Sequence, residues 1–251
     1  VLGLLEQRLI FKPTREDHRG LDSIAHERIR FGGEFGLDLD GAFVHNGSSS
    51  IAIFLHGNRH NITRFREHYE LFARIGQSFF TFDYPGYGQS RGKPSEGAVY
   101  AAARAAYALI QNRMNIPADK IIVYGCSMGG AVAMELCKTA QVAGLITEAT
   151  FTNSREMAQH LYPYLPLWPF LPIRFRNDLK ISQINAPMML IHGQKDPIVP
   201  ASMASKLHKA SEGRAKLVLI EDANHINCIP CGNKELEKKI HEFILQHTAR
   251  A

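Results

Sequence analysis

Short apolar runs recur along the chain at Ile51–Leu55, Phe79–Phe82 (interrupted only by Thr81), Ile121–Tyr124, Met188–Ile191 and Leu217–Ile220, each bounded by polar or turn-forming residues. Runs of this length without a polar face read as strands buried on both sides. Ala143–Ala149 reads as a further strand. Two earlier segments, His26–Phe31 and Leu37–Val44, alternate polar with apolar positions as half-exposed strands do, and the glycines between residues 32 and 36 suggest a hairpin joining them. Arg8–Phe11 reads as another early strand. Between the runs the period changes. Phe65, Tyr69, Phe72 and Ile75 share one face of a helix expected over Thr63–Ile75, and Leu236, Ile240, Phe243 and Ile244 do so in a final helix over Lys234–His247. Further helices are expected over Ala98–Asn112, Ala131–Cys137 and Ala201–Ala210. Strands alternating with helices predict an α/β fold with a mostly parallel central sheet and helices on both faces.

One stretch fits neither period. Residues 161–173 hold the only tryptophan and four prolines, a density that forbids a long helix or a central strand. An apolar segment outside the sheet either covers the core or forms a lid or wall over an apolar pocket. Residues 151–178 are therefore expected to form a short lid-like insertion in a single domain spanning 1–251. Tyr162 and Trp168 are its candidate substrate-contacting side chains.

Composition narrows the classes of partner. The chain has 251 residues, 45% hydrophobic and 21% charged, enough for a sizeable core. Its net charge of +5 is spread out, with no basic block or aromatic platform of the kind nucleic acid requires. No apolar stretch reaches membrane-spanning length. The chain opens at Val1 without a methionine, which leaves room for an upstream signal or anchor, so both a soluble and a membrane-associated setting stay open. Four cysteines are too few for a disulfide scaffold.

The candidate chemistry centres on Gly125-Cys126-Ser127-Met128-Gly129-Gly130, lying between a strand and a helix. A serine at such a turn is lifted above the sheet edge, and the next backbone N–H, that of Met128, can help hold an oxyanion. His56-Gly57-Asn58 ends an earlier strand, where the N–H of Asn58 would supply a second donor. Arg59, with His60, Arg64 and Arg66, makes that mouth basic, either to attract an anionic substrate group or as a solvated helix start. Asp196 follows one buried strand and His225 follows the last. A hydroxyl, an imidazole and a carboxylate in the order Ser127, Asp196, His225, each past a strand end, are the parts of a nucleophile–base–acid triad. Asp83, in the Gly- and Pro-rich loop after Phe82, reads as a loop organiser.

These blocks, together with Asp83-Tyr84-Pro85-Gly86-Tyr87-Gly88-Gln89-Ser90 and Ile191-His192-Gly193, resemble the α/β-hydrolase fold serine hydrolases over residues 8–247. Within them the likeness is greatest to membrane-associated acyl-protein thioesterases and related esterases. The resemblance implies nucleophile Ser127, acid Asp196, base His225 and oxyanion donors Asn58 and Met128, with no cofactor or metal. It implies cleavage of carboxylic esters or thioesters, with a medium or long acyl chain suggested by the apolar lid. The substrate could be an acylated protein, peripheral membrane contact is compatible with it, and no obligate partner is implied. A peptidase, an acyltransferase or a non-catalytic binding protein on the same fold are the alternatives. Two features depart from the subgroup: bulky Arg59 and His60 beside Asn58, and a Cys-x-x-Cys, Cys228 to Cys231, directly after His225. The latter reads as a local disulfide or two free thiols, since a zinc site needs four ligands.

Overall fold

The computed structural model describes residues 10–16, 20–21, 24–164 and 174–249. Its centre is an eight-stranded sheet: β1 (Glu27–Phe31), β2 (Leu39–Val44), β3 (Ile51–Leu55), β4 (Ser78–Phe82), β5 (Ile121–Cys126), β6 (Gly144–Glu148), β7 (Met188–Gly193) and β8 (Ala215–Ile220). The spatial order is 1-2-4-3-5-6-7-8. β2 runs antiparallel to both β1 and β4, and every other pairing is parallel. β3 to β7 are buried along their whole length, whereas β1 and β8, at the two edges, keep exposed positions. This matches the distinction between continuous apolar runs and alternating ones for the centre and the β1 edge.

Among the described residues seven helices accompany the sheet: α1 (Arg66–Arg74), α2 (Glu96–Ala108), α3 (Met128–Thr139), α4 (Ser154–Leu161), α5 (Asn177–Lys180), α6 (Ala201–Ala210) and α7 (Cys228–Thr248). One face packs α2, α3 and α6 through Val99, Ala103, Ala131, Met134, Met203 and Leu207. The other packs α1 and α7 through Tyr69, Phe72, Leu236, Ile240 and Phe243. Phe54 of β3 anchors this second face, with the rings of Phe65, Tyr69, Phe72 and Tyr124 at 5.4–6.1 Å. Among the described residues no helix is long and apolar enough to cross a membrane.

Several boundaries differ from those the sequence suggests; the helix expected over Ala98–Asn112 begins at Glu96 and passes into a π turn at Leu109–Arg113. Arg8 and Leu9 lie outside the described residues, and the N-terminal pairing is a two-residue parallel bridge of Lys12–Pro13 with Arg59–His60, apart from the main sheet. The expected helix over Thr63–Ile75 starts as a 3₁₀ turn, Ile62–Arg64, because the Asn61 side chain accepts the Thr63 N–H and tightens the entry; regular helix begins at Arg66. The last helix, expected over Lys234–His247, does run there after a break at Asn233, where φ is 46°, and an additional helical turn over residues 228–232 precedes the break. Pro230 is tolerated there because N–H groups in a first helical turn have no intrahelical partner to lose.

Candidate active site

Ser127 stands between β5 and α3 with φ 54° and ψ −115°, a conformation that costs a non-glycine residue about 1–3 kcal/mol. Its surroundings hold it there. The Ser127 N–H donates to the Glu148 carbonyl at 2.7 Å, and the Ser127 carbonyl accepts from Gly130 N–H at 3.0 Å. The turn also presses against β3: a Cβ on Gly129 would lie 1.9 Å from the Leu55 carbonyl oxygen, so no side chain fits there. That contact brings the end of β3 beside the serine.

The two other polar groups arrive on loops after β7 and β8. Those loops are laced together by the Gln194 N–H on the Ile220 carbonyl and the Lys195 N–H on the Ala223 carbonyl, both at 2.9 Å. A Cβ on Gly193 would approach the Ala223 oxygen to 2.4 Å, so this junction too depends on glycine. Around His225, Asn224 N–H donates to Asn227 Oδ1 at 2.6 Å and Ile226 N–H to Asn224 Oδ1 at 3.0 Å, an Asx-type turn that aims the ring.

The result is a continuous chain. Asp196 Oδ2 lies 2.7 Å from His225 Nδ1, and His225 Nε2 lies 3.1 Å from Ser127 Oγ. Asp196 Oδ1 accepts from the N–H groups of Ile198 and Val199 at 2.8 and 2.9 Å. Burial alone would raise the Asp196 pKa. Hydrogen bonding from His192 and His225, the charge of His225 and the Val199 N–H outweigh it and hold the carboxyl well below the usual range. An ionised Asp196 fixes the proton on Nδ1, leaving Nε2 to accept from the serine hydroxyl. The arrangement can generate an alkoxide-like nucleophile without any other group.

The His56-Gly57-Asn58 turn lies against the serine, a Cβ on Gly57 being only 3.6 Å from Ser127 Cβ. Its carbonyls are all occupied. His56 O accepts from Tyr84 OH, Gly57 O from His56 Nδ1, and Asn58 O from Tyr87 OH and Lys12 N–H. The Asn58 side chain is turned to the Ile10 carbonyl at 2.9 Å. The Asn58 N–H has no acceptor among the described residues. Met128 N–H is the first of α3, where helix geometry leaves the donor unpaired and the dipole favours negative charge. Asp83 accepts a backbone N–H from Gln89 of its own loop and the Ile62 N–H at 2.9 Å, so it organises the loop, as expected, and ties it to the turn before α1.

The remaining expected residues are placed less closely. The Arg59 side chain is exposed next to Asn58. Tyr162, half exposed, follows α4, whose His160 Nε2 donates to the Pro197 carbonyl at 3.1 Å and so docks that helix end beside the Asp196 loop. Trp168 lies outside the described residues. Exposed apolar side chains flank these elements along the chain: Leu161, Tyr162 and Tyr164 at the end of α4, Ile198 just after Asp196 and Ile226 directly after His225. Two clefts of about 460 and 350 Å³ lie elsewhere, one beside Phe43 and Leu109, the other between α1 and α7, and neither is lined by Ser127 or His225.

A second acid–base pair escaped the sequence reading. His68 Nε2 donates to Glu148 Oε2 at 2.9 Å and Tyr124 OH donates to the same oxygen at 2.7 Å, all three buried beneath the serine turn. Burial pushes Glu148 up, but His68 and Tyr124 together hold its pKa below the usual value. With Cys126 these side chains form a His–Cys–Glu group whose donor atoms lie within 4.8 Å of one another, a set zinc can accept. Here the nitrogen and oxygen are already bonded to each other, which accounts for their burial. A glutamate closing the otherwise apolar run Leu145–Ile146 was the signal available in the sequence.

A profile described as the alpha/beta hydrolase fold matches residues 53–181, just over half of the chain and including the serine turn. The chain belongs to the alpha/beta hydrolase fold family. A second profile, described as TAP-like protein, matches residues 166–251 of this alpha/beta hydrolase. An uncharacterised protein of Mycobacterium tuberculosis is 29% identical over 225 residues, covering 88% of this chain and 80% of its own. Alpha/beta hydrolase domain-containing protein 17B of Xenopus laevis is 30% identical over 195 residues, covering 77% of this chain and 66% of its own. Among solved structures, the Pyrococcus furiosus esterase Pf2001 superposes with a TM-score of 0.79 at 21% identity, covering 94% of this hydrolase and 99% of the esterase. That likeness concerns the fold.

Proposed function

We propose that this alpha/beta hydrolase cleaves carboxylic esters or thioesters through an acyl-enzyme on Ser127. The single observation behind the reading is the chain from Asp196 through His225 to the Ser127 hydroxyl, at 2.7 and 3.1 Å. His225 takes the hydroxyl proton as Ser127 attacks the acyl carbon, then returns it to the leaving alcohol or thiol. In the second half-reaction it deprotonates water, and the acid leaves. Asp196 keeps the imidazole in the required tautomer and stabilises the imidazolium. The N–H groups of Asn58 and Met128 receive the developing oxyanion, each worth about 3–4 kcal/mol in comparable sites.

The naming of the Pyrococcus neighbour as an esterase and of the Xenopus relative as a hydrolase domain protein supports this class of reaction. The exposed apolar residues Leu161, Tyr162, Ile198 and Ile226 support a medium or long acyl chain, for which Tyr162 and Trp168 are the proposed contacts, while Arg59 would attract an anionic group of the substrate. The same residues suit an acylated protein or a substrate presented at a membrane surface.

Fluorophosphonate labelling followed by intact-mass measurement tests the nucleophile, with p-nitrophenyl esters of graded length assayed in parallel. Wild type is expected to take one adduct and to turn over longer chains faster. Ser127→Ala is expected to take none and to lose at least about 10⁴-fold in turnover while keeping its circular dichroism spectrum. Unchanged ester turnover in Ser127→Ala would overturn the assignment, and a preference for acetyl over octanoyl esters would overturn the chain-length reading alone.

A further inference from the structure

Cys228 and Cys231 take no part in the chemistry above, yet they stand on the loop that carries His225. Cys228 is the first residue of α7 and Cys231 lies one turn on, with its N–H bonded to the Asn227 carbonyl at 3.0 Å. Residues three apart in a helix share a face with Cβ atoms about 5–6 Å apart, whereas a disulfide needs them about 3.5–4.5 Å apart. Closure therefore draws the two Cβ atoms together by about 1–2 Å and distorts the helix start. Both are free thiols.

Their contacts tie them to the site. Cys228 Sγ donates to the Asn224 carbonyl at 3.6 Å and Cys231 Sγ to the Asp222 carbonyl at 3.7 Å. The two sulfurs thus brace the segment immediately before His225. They differ in access: Cys228 is fully buried among the side chains of the α1–α7 face, whereas Cys231 is half-buried at its border. Burial, followed by the carboxylates Glu148 and Asp196 and the thiol of Cys231, pushes the Cys228 thiol up, so Cys228 is the slower nucleophile of the pair.

We propose that Cys228 and Cys231 form a dithiol modification site that closes to a disulfide, or chelates a trivalent arsenical, and that closure loosens the seat of His225. The oxidant class is a small disulfide such as glutathione disulfide. The Cys231 thiolate attacks one of its sulfurs, forming a mixed disulfide and releasing one glutathione thiolate. Cys228 then gives up its proton and attacks the Cys231 sulfur. The Cys228–Cys231 bond forms, the second glutathione leaves, and two protons end on the two released thiols. One external disulfide is reduced and one internal disulfide is made. Because Cys228 is buried, the second step is the slow one and the mixed disulfide at Cys231 precedes closure. Closure removes both S–H donors from the carbonyls of Asp222 and Asn224. A displacement of His225 by a fraction of an ångström is expected to lower turnover about ten- to a hundredfold.

The consequence for turnover rests on the proposed role of His225, whereas the dithiol chemistry is read without it. The experiment is intact-mass spectrometry with peptide mapping on wild type and Cys231→Ser, after glutathione disulfide and separately after phenylarsine oxide, with ester turnover measured before treatment, after it, and after dithiothreitol. Wild type is expected to add glutathione at Cys231, then lose it together with two hydrogens, and to take one arsenical across both sulfurs. Its turnover falls and dithiothreitol restores it. Cys231→Ser, whose hydroxyl can keep the bond to Asp222, is expected to retain basal turnover and to show neither closure nor arsenical capture. A mixed disulfide that never closes, or arsenical binding that persists in Cys231→Ser, overturns the dithiol site. Closure without any change in turnover overturns its coupling to His225. Absence of ester turnover in untreated wild type counts against the hydrolase reading, and the mass data still judge the dithiol.

Discussion

Among the described residues, two of the histidine–carboxylate pairs share nearly the same bond, 2.7 Å in Asp196–His225 and 2.9 Å in Glu148–His68. Both carboxyls are buried, and in both the partner side chains pull the pKa down against the cost of burial. They differ in what else surrounds the ring. Asp196 and His225 arrive on loops, and the second nitrogen of His225 faces a serine hydroxyl at 3.1 Å. His68 comes from α1 and Glu148 from the end of β6, and the ring of His68 sits among those of Phe54, Phe65 and Tyr124 at 5.0–5.8 Å. One pair can move a proton to a reacting atom. The other has an aromatic wall around it and a tyrosine on its carboxylate, which suits a brace under the serine turn. The chemistry of such a pair is set by what its outer nitrogen meets.

The sharpest separation comes from Asp196→Asn. The amide oxygen can still accept from Ile198 and Val199, so the loop is kept, but the tautomer of His225 is no longer held. Turnover of a p-nitrophenyl ester is expected to fall about 10⁴-fold with the melting temperature little changed. A loss of similar size in Glu148→Gln would erase the distinction between the pairs.

Glu148→Ala is expected to act on the other axis. It leaves His68 and Tyr124 buried without their acceptor, and breaking a buried pair costs about 3–5 kcal/mol. Urea unfolding should show that loss, while the folded fraction keeps turnover within about tenfold of wild type, since the Ser127 N–H bonds the Glu148 backbone rather than its side chain. Unchanged stability would mean that the pair is no brace.

The smallest effect concerns pH. Asp196 and Glu148 have depressed folded pKa values, so their contribution to stability is present above the ordinary carboxylate value of about 4 and is lost as pH falls through the folded values. Asp83 has the opposite sign. Burial, against the Ile62 N–H, raises its pKa to about 7, while burial lowers that of His56, 3.9 Å away, to about 3. The stability from Asp83 is fully present below about pH 4 and is lost as pH rises through about 7. Asp83→Asn retains an acceptor for Ile62 and should flatten this alkaline decline in thermal melts between about pH 5 and pH 8. Parallel declines in the two proteins would show that another group is responsible.

Much of the fold was legible because burial on both faces leaves a plain trace. β3 to β7 read as apolar strands and are buried throughout, whereas Leu217–Ile220 reads the same way and forms the edge strand β8 with exposed positions; every helix with a clear apolar stripe is present. The N-terminal bridge and the start of α7 were not legible. A two-residue pairing has no periodicity, and the helical turn Cys228–Cys231 is held by contacts with the loop before it rather than by propensity. At the site, Ser127, Asp196 and His225 could be named from their positions after strands, whereas Glu148 and His68 could not be paired, being eighty residues apart on elements with no shared motif.

What the sequence determined alone was the set of elements and the kinds of side chain at strand ends, because hydrophobic period and turn chemistry are local properties. Tertiary structure decided which of twelve histidines joins Asp196 to the Ser127 hydroxyl and which joins Glu148 among aromatic rings. It also decided that two cysteines face the carbonyls of the segment leading to His225. Those outcomes depend on strand order and on backbone contacts as close as Gly129 against Leu55. Distances of that kind are set by the packed whole and by no single segment of the chain.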